Sequence, residues 1–303
     1  MEGKDNILSQ NTRLKIAIFG NKYQEEYLTQ LSEFFNLMSH YDLEVAMEYT
    51  FYNYLSRVLD TTPHVDQLIK GDRFTADIAL SIGGDGTFLR TAQRVADKEI
   101  PIIGINTGRL GFLASFSPDS IEETIEDIYA GRFNVEQHSV LQISCDEFQL
   151  KDYPCALNEI AILKHDISSM ISIHTDINNE HLTTYQADGL IISTPTGSTA
   201  YSLSVGGPII VPQSDTICIT PVAPHSLNMR PIVLCDNSEI TLKVESRSSS
   251  FLISLDGRSQ SYPDNIHLRI HKAPYCINVI TRQGQSFYTT LRRKMMWGAD
   301  SRA

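Results

Sequence analysis

The chain has 303 residues, enough for two domains, and its 42% hydrophobic content with ordinary Gly and Pro levels indicates a globular protein with a full core. A formal net charge of −11 argues against a duplex nucleic-acid binder, which needs a basic face, but not against a binder of small anions through backbone N–H groups. No apolar run reaches the roughly 18 residues of a bilayer span. The polar Met1–Arg13 segment lacks an apolar signal core, so a cytoplasmic protein without a membrane partner is expected.

In chain order, Leu14–Phe19 reads as a buried strand ending at Gly20. Tyr27, Leu28, Leu31, Phe34, Phe35 and Met38, at spacings of three and four, predict an amphipathic helix. Strands are expected over Leu43–Tyr49, Asp77–Ile82 and Ile100–Ile105, with helical periodicity in Phe88–Ala96. Ser117-Pro118 marks a helix start and Gly131 its stop. This alternation predicts a doubly wound α/β domain with a parallel sheet. From Phe133 to about Ile280 the texture changes to short alternating runs, VLQISC, ISIHT, GLIIST, TICIT, EITLKV, FLISL, IHLRI and CINVI, separated by turn residues. A first domain over 1–132, a β-rich domain over 133–285, and a helix or strand over Phe287–Trp297 by which 286–303 returns to the first domain are expected.

The cysteines, Cys145, Cys155, Cys218, Cys235 and Cys276, are odd in number without a C-x-x-C pair and read as buried thiols. The nine histidines show no zinc-ligand spacing, so no dedicated metal site is expected.

Gly83-Gly84-Asp85-Gly86-Thr87 lies where a buried strand ends and a helix begins, the edge at which open α/β sheets gather ligands. Its glycines permit close backbone approach to phosphate, and the following helix offers N–H groups. It matches neither a Walker A loop nor G-x-G-x-x-G. A carboxylate inside a phosphate loop suits a metal-bridged phosphate or a proton taken from an attacking hydroxyl; alternatively Asp85 caps the helix. Asn106–Phe112 closes the neighbouring strand, with Phe112 as an apolar lid or a core residue. Asn158-Glu159 offers adjacent groups for ribose hydroxyls, or an edge-strand turn. The segment from Asp188 to Ser202 delivers five Ser/Thr hydroxyls between Ser193 and Thr199, then Tyr201, whose ring suits adenine. Its alternative is a plain Ser/Thr-rich loop.

In this order the motifs resemble the NAD kinase family: GGDGT at Gly83–Thr87, NTGRLGFLA at Asn106–Ala114, Asn158-Glu159, DGLIISTPTGSTAYSLSVGGP at Asp188–Pro208, and His-Ser-Leu followed by Arg-Pro within His225–Pro231. The resemblance spans about Lys15 to Trp297, and the segment from Asp188 is its most specific part. It implies a doubly wound domain followed by a β-sandwich that binds NAD, with the active site in the crevice between them. It also implies transfer of the γ-phosphate of ATP to the 2′-hydroxyl of the adenosine ribose of NAD, giving NADP and ADP. Asp85 would orient that hydroxyl, while Gly83, Gly84, Gly86, Thr87 and Arg90 would serve the phosphates, together with a divalent cation, Mg²⁺ by expectation. Asn158 would meet the adenine end and Glu159 a ribose hydroxyl. Asp188, Thr199, Ala200, Tyr201, Ser202, Leu203 and Ser204 would line the dinucleotide pocket with Asp85 and Gly86, and Phe112, Thr196, Ala223 and His225 would border it. A homodimer or homotetramer is implied. One departure is Arg258 after Asp256-Gly257, where many relatives carry Gln. GGDGT alone also resembles the phosphate loop of lipid kinases, and a non-catalytic dinucleotide sensor is the rival from another class. The acidic composition counts against the first, and Asp85 against the second.

Overall fold

The computed structural model describes residues 13–22, 27–107, 111–117, 120–150, 153–166, 169–284 and 286–296. Gly108, Arg109, Leu110, Pro118 and Trp297, named above, lie outside them. The chain forms two compact units, one running to Gln137 and resuming at Ile277, the other His138–Cys276.

The first unit opens with β1 (Leu14–Gly20), α1 (Leu28–Met38), β2 (Leu43–Glu48), α2 (Tyr49–Val58), β3 (Gln67–Ile69), β4 (Ile78–Ile82), α3 (Asp85–Val95), β5 (Ile102–Ile105) and α4 (Ile121–Tyr129). The strands pair in parallel in the order β3-β2-β1-β4-β5. The order reverses between β1 and β4, the switch point at which doubly wound sheets form a ligand crevice. β4 and β5 are buried throughout, as strands covered on both faces must be. Helix α1 buries Leu31, Phe34 and Met38. The expected strand over Leu43–Tyr49 ends one residue early because Tyr49 starts α2, which the sequence reading did not foresee. Phe51 and Leu55, four apart and buried, hold α2 on the sheet. Gly131, at φ +66, follows the C-terminus of α4 as expected.

The second unit is built from β6 (Phe133–Cys145) from His138 onward, β7 (Cys155–Ala156), β8 (Glu159–Lys164), β9 (Ile171–Ile177), β10 (Glu180–Ala187), β11 (Gly189–Ser193), a one-turn helix α5 (Tyr201–Ser204), β12 (Thr216–Val222), β13 (Ile232–Cys235), β14 (Ile240–Glu245), β15 (Ser250–Leu255), β16 (Arg258–Pro263) and β17 (His267–Arg282) up to Cys276. One antiparallel sheet runs β10-β9-β14-β17 and the other β13-β12-β11-β8-β15-β16. Ile173, Leu242, Val244 and Ile270 from the first share one core with Ile160, Ile162, Ile192, Ile219 and Phe251 from the second, which makes the unit a β-sandwich. The runs IHLRI and CINVI, expected as separate strands, are the two ends of β17. Beyond Cys276, β17 continues in the first unit, where Val279 pairs in parallel with Ile102, and α6 (Phe287–Met295) follows.

The expectation of five buried thiols is corrected. Cys155 and Cys218 are buried, Cys145 and Cys276 are half-buried, and Cys235 is exposed because the alternation of edge strand β13 turns it outward with Val233. Among the described residues no helix is long and apolar enough to cross a membrane.

Phe251, fully buried in the centre of the sandwich core, sets a stability test. Phe251→Ala is expected to cost about 3–5 kcal/mol, read as a lowered midpoint in denaturant unfolding.

Candidate active site

In the first unit, Gly84 is the N-cap of α3 and Asp85 its first residue, but the Asp85 side chain does not cap the helix. It reaches instead to the segment after β5. Its Oδ2 accepts the N–H of Phe112 at 2.9 Å, and its Oδ1 accepts those of Leu113 and Ala114 at 3.1 and 3.2 Å. Two glycines make this approach possible. A Cβ on Gly104 would stand 2.6 Å from the Ala114 Cα, and one on Gly111 would stand 1.8 Å from Asp85 Oδ1. The segment is also tied alongside β5, with Asn106 N–H donating to Phe116 O at 2.7 Å and Phe116 N–H to Gly104 O at 3.0 Å.

The rest of the turn is open toward solvent. Among the described residues nothing stands within 4 Å of the Cβ positions of Gly84 and Gly86, whereas Gly83, at φ +150, packs on Thr87. Thr87 is buried, and its Oγ1 accepts from Arg90 Nη2 at 3.2 Å, so Arg90 stands one turn into α3. Phe112 lies beside Phe287 of α6 with ring centroids 6.2 Å apart, and Lys294 of the same helix sits 4.1 Å over the Phe112 ring. The Lys294 ammonium is 3.5 Å from Asp85 Oδ2.

The second unit repeats the carboxylate device. Asp256 and Gly257 form the two-residue turn between β15 and β16 with φ of +48 and +81, the geometry an Asp-Gly hairpin adopts. The Asp256 carboxylate accepts the N–H groups of Leu157, Asn158 and Glu159 at 2.7, 2.8 and 3.1 Å. Arg258 donates to the carbonyls of Tyr153 and Cys155 at 3.1 and 2.8 Å. At the position where the resemblance departs, the arginine therefore holds its own backbone.

Asn158 and Glu159 are thus presented by a fixed strand entry, each 8% exposed. Asn158 Oδ1 and Glu159 Oε2 are buried without a hydrogen-bond partner among the described residues, although Glu159 accepts the N–H of Tyr201. Buried polar atoms in folded proteins rarely stay unmatched, and two on adjacent residues point to a ligand with hydroxyl or amino donors. Burial, with the Asp256 charge adding to it, raises the Glu159 carboxyl to about 7. Burial also lifts Asp256, against the pull of its three amides.

Most hydroxyls of the Ser/Thr loop are engaged by the protein's own groups. Thr194 Oγ1 donates to Leu157 O at 2.6 Å, Thr196 Oγ1 pairs with His138 Nδ1 at 2.8 Å, and Thr199 Oγ1 donates to Thr196 O at 3.3 Å. Ser198 Oγ accepts from Ile210 N–H at 2.9 Å, and buried Ser202 pairs with Thr220 at 3.0 Å. Gly197 lets the loop pass the Asn158 carbonyl, from which a Cβ would be only 2.0 Å away. Tyr201 and Ser204 are exposed, and Ala200 and Leu203 half-buried. Asp188 forms an ion pair with Lys164 at 2.7 Å. Ala223, at φ +45, and His225 are exposed, and the His225 N–H donates to Gln186 O at 2.8 Å. Sequence reading did not single out Gly104 or Lys294, nor the grip of Asp256 on the Asn158-Glu159 entry.

Comparison with known proteins matches residues 16–133 to the ATP-NAD kinase N-terminal domain and residues 157–281 to the ATP-NAD kinase C-terminal domain. A curated NAD kinase of Bacteroides fragilis is 58% identical over 289 residues, covering 95% of this chain and 100% of the relative. An NAD kinase of Christiangramia forsetii is 40% identical over 294 residues, with the same two coverages. The crystal structure of yeast NADH kinase complexed with NADH superposes with a TM-score of 0.85 at 24% identity, over 96% of this chain and 90% of that one. An NAD kinase from Archaeoglobus fulgidus in complex with ATP superposes with a TM-score of 0.71 at 24% identity, over 93% and 99%. Both superpositions bear on the fold.

Two outcomes follow from the site geometry. Gly111→Ala is expected to drive Asp85 off its amides and lower turnover at least tenfold while the protein stays folded, read by steady-state rates beside a thermal melt. A raised folded-state pKa at Glu159 favours folding fully below about pH 4.5 and loses that contribution as pH rises through about 7. Glu159→Gln is therefore expected to stabilise the protein at pH 8 by up to roughly 3 kcal/mol and to change little at pH 4, read from unfolding across pH.

Proposed function

The chain belongs to the NAD kinase family, and on that premise we propose that Asp85 receives the 2′-hydroxyl of the adenosine ribose of NAD and takes its proton as the γ-phosphate of ATP is transferred. The protein is an ATP-dependent phosphotransferase that converts NAD to NADP, and the match over both units sets aside the lipid-kinase and sensor readings. The observation that supports the role of Asp85 is its placement. Three amides fix the carboxylate at the first turn of α3, while its side chain stays 32% exposed and its remaining edge meets only the loosely paired Lys294 ammonium at 3.5 Å among the described residues. A hydroxyl donating to that edge is oriented for in-line attack. Its oxygen bonds to the γ-phosphorus, the bond to the leaving ADP oxygen breaks, and the proton passes to Asp85.

The N–H groups of the first turn of α3, with open Gly84 and Gly86, would hold the ATP phosphates, and Arg90 would add charge one turn on. Asn158 Oδ1 and Glu159 Oε2, buried and unmatched, would accept from the adenosine portion of NAD, and exposed Tyr201 would pack on a base. Of the predicted pocket hydroxyls, those of Thr196, Thr199 and Ser202 act through loop shape, because His138, the Thr196 carbonyl and Thr220 respectively engage them.

A divalent cation, Mg²⁺ by expectation, would enter on the ATP phosphates. Among the described residues no group of three or more His, Cys, Asp or Glu gathers to hold one, so no residue is assigned to it. A homodimer or homotetramer in the cytoplasm completes the proposal, on the strength of the family resemblance.

The test is NADP formation from NAD and Mg-ATP by the purified chain, read with an NADP-specific dehydrogenase. Asp85→Asn is expected to lower kcat by about 10²–10⁴-fold with NAD binding retained. A variant within a few-fold of the parent chain would remove Asp85 from the chemistry.

A further inference from the structure

The last turn of helix α6 carries Arg292, Arg293 and Lys294, and cations there commonly just complement the helix dipole. Arg292 and Arg293 fit that description, since both are exposed. Lys294 does not. It is half-buried, its ammonium is 3.5 Å from Asp85 Oδ2, and it lies 4.1 Å over the ring of Phe112, whose own N–H donates to that same oxygen. The helix is fixed for this contact at its other end, where Ser286 Oγ accepts the Thr289 N–H at 3.3 Å and Phe287 packs by Phe112.

A carboxylate has about four acceptor directions, two on each oxygen. At Asp85 the amides of Leu113 and Ala114 occupy Oδ1, and the Phe112 amide occupies one direction of Oδ2. The direction left for a substrate hydroxyl is the one Lys294 covers. At 3.5 Å, between partly exposed side chains, that ion pair is loose and easily opened. A hydroxyl arriving at Oδ2 would displace an ammonium that remains tethered by its helix within a few ångströms of the reacting oxygen.

Resting on the kinase reading above, we propose that Lys294 is a catalytic residue of the transfer. It is the counter-ion of Asp85 while the acceptor hydroxyl is absent. Once the hydroxyl takes its place at Oδ2, Lys294 is the cation that stabilises the phosphoryl group moving onto that hydroxyl oxygen. The bonds made and broken are those of the transfer itself: hydroxyl oxygen to γ-phosphorus forms, γ-phosphorus to the ADP oxygen breaks, and the hydroxyl proton ends on Asp85.

This role separates kcat from substrate binding, because Lys294 competes with the hydroxyl in the ground state and helps it only in the transition state. The experiment compares the full-length chain with Lys294→Met, Lys294→Gln and Lys294→Arg, measuring kcat, KM for NAD, NAD affinity by calorimetry and thermal unfolding. The expected result is a kcat lowered about 10- to 100-fold in Met and Gln, NAD affinity unchanged or tighter, an unchanged melting temperature, and substantial recovery in Arg. A kcat within twofold of the parent chain in both neutral variants overturns the proposal. So does a parallel loss of kcat, NAD affinity and melting temperature, the signature of a merely structural contact. Absence of NADP formation by the unsubstituted chain would defeat the kinase reading and this proposal together, whereas an active chain indifferent to Lys294 would defeat only the latter.

Discussion

One carboxylate gathering three successive backbone N–H groups is the interaction on which both halves of the chemistry depend. A chain segment that leaves a sheet, or has yet to enter one, carries N–H groups with no ladder partner, and each one left unmatched in a dry place costs about 1–3 kcal/mol. Asp85 resolves this for Phe112, Leu113 and Ala114, and Asp256 for Leu157, Asn158 and Glu159. In each case an aspartate remote in sequence holds the segment; in the first the functional group is the aspartate itself, and in the second it is the pair Asn158 and Glu159 on the segment held.

The same device gives different chemistry because the two carboxylates differ in solvation. Asp256 is enclosed in a hairpin turn, where burial raises its pKa and its charge helps to raise that of Glu159. Its consequence is local: Asn158 and Glu159 are held buried, each with one oxygen unmatched among the described residues. Asp85 keeps a third of its side chain in contact with solvent and faces a lysine that is only loosely engaged. A preorganised acceptor with one replaceable partner is suited to receive a hydroxyl, because little has to reorganise when the substrate arrives. The glycines matter here through absent atoms. Gly104 lets the strap lie against β5, and Gly111 leaves room for the Asp85 carboxylate itself.

Much of the fold was legible in residue spacing. The parallel strands appear as apolar runs, α1 as a three-and-four periodicity, and the sandwich as short alternating runs. Helix α2 escaped because Tyr49–Val58 is rich in aromatic and β-branched residues, and its helical state is decided by Phe51 and Leu55 docking on the sheet. The three-residue strand β3 carries too little pattern to be read. Motif residues were legible as positions, but their roles were less so. The hydroxyls of the Ser/Thr loop look available for a ligand in one dimension, yet most stabilise the turn that passes Asn158. Lys294 had no local signal, because its meaning lies in a contact with Asp85 that only the folded first unit creates.

The central claim is that Asp85 is fixed to receive the adenosine 2′-hydroxyl. Its most direct test is a crystal structure of the chain with NAD bound, read for the distance from the ribose 2′-oxygen to Asp85 Oδ2. A separation of roughly 2.6–3.2 Å, with the Phe112–Ala114 amides still on the carboxylate, is the expected result. A 2′-oxygen hydrogen-bonded elsewhere, with Asp85 turned from the ribose or still closed against Lys294, would contradict it.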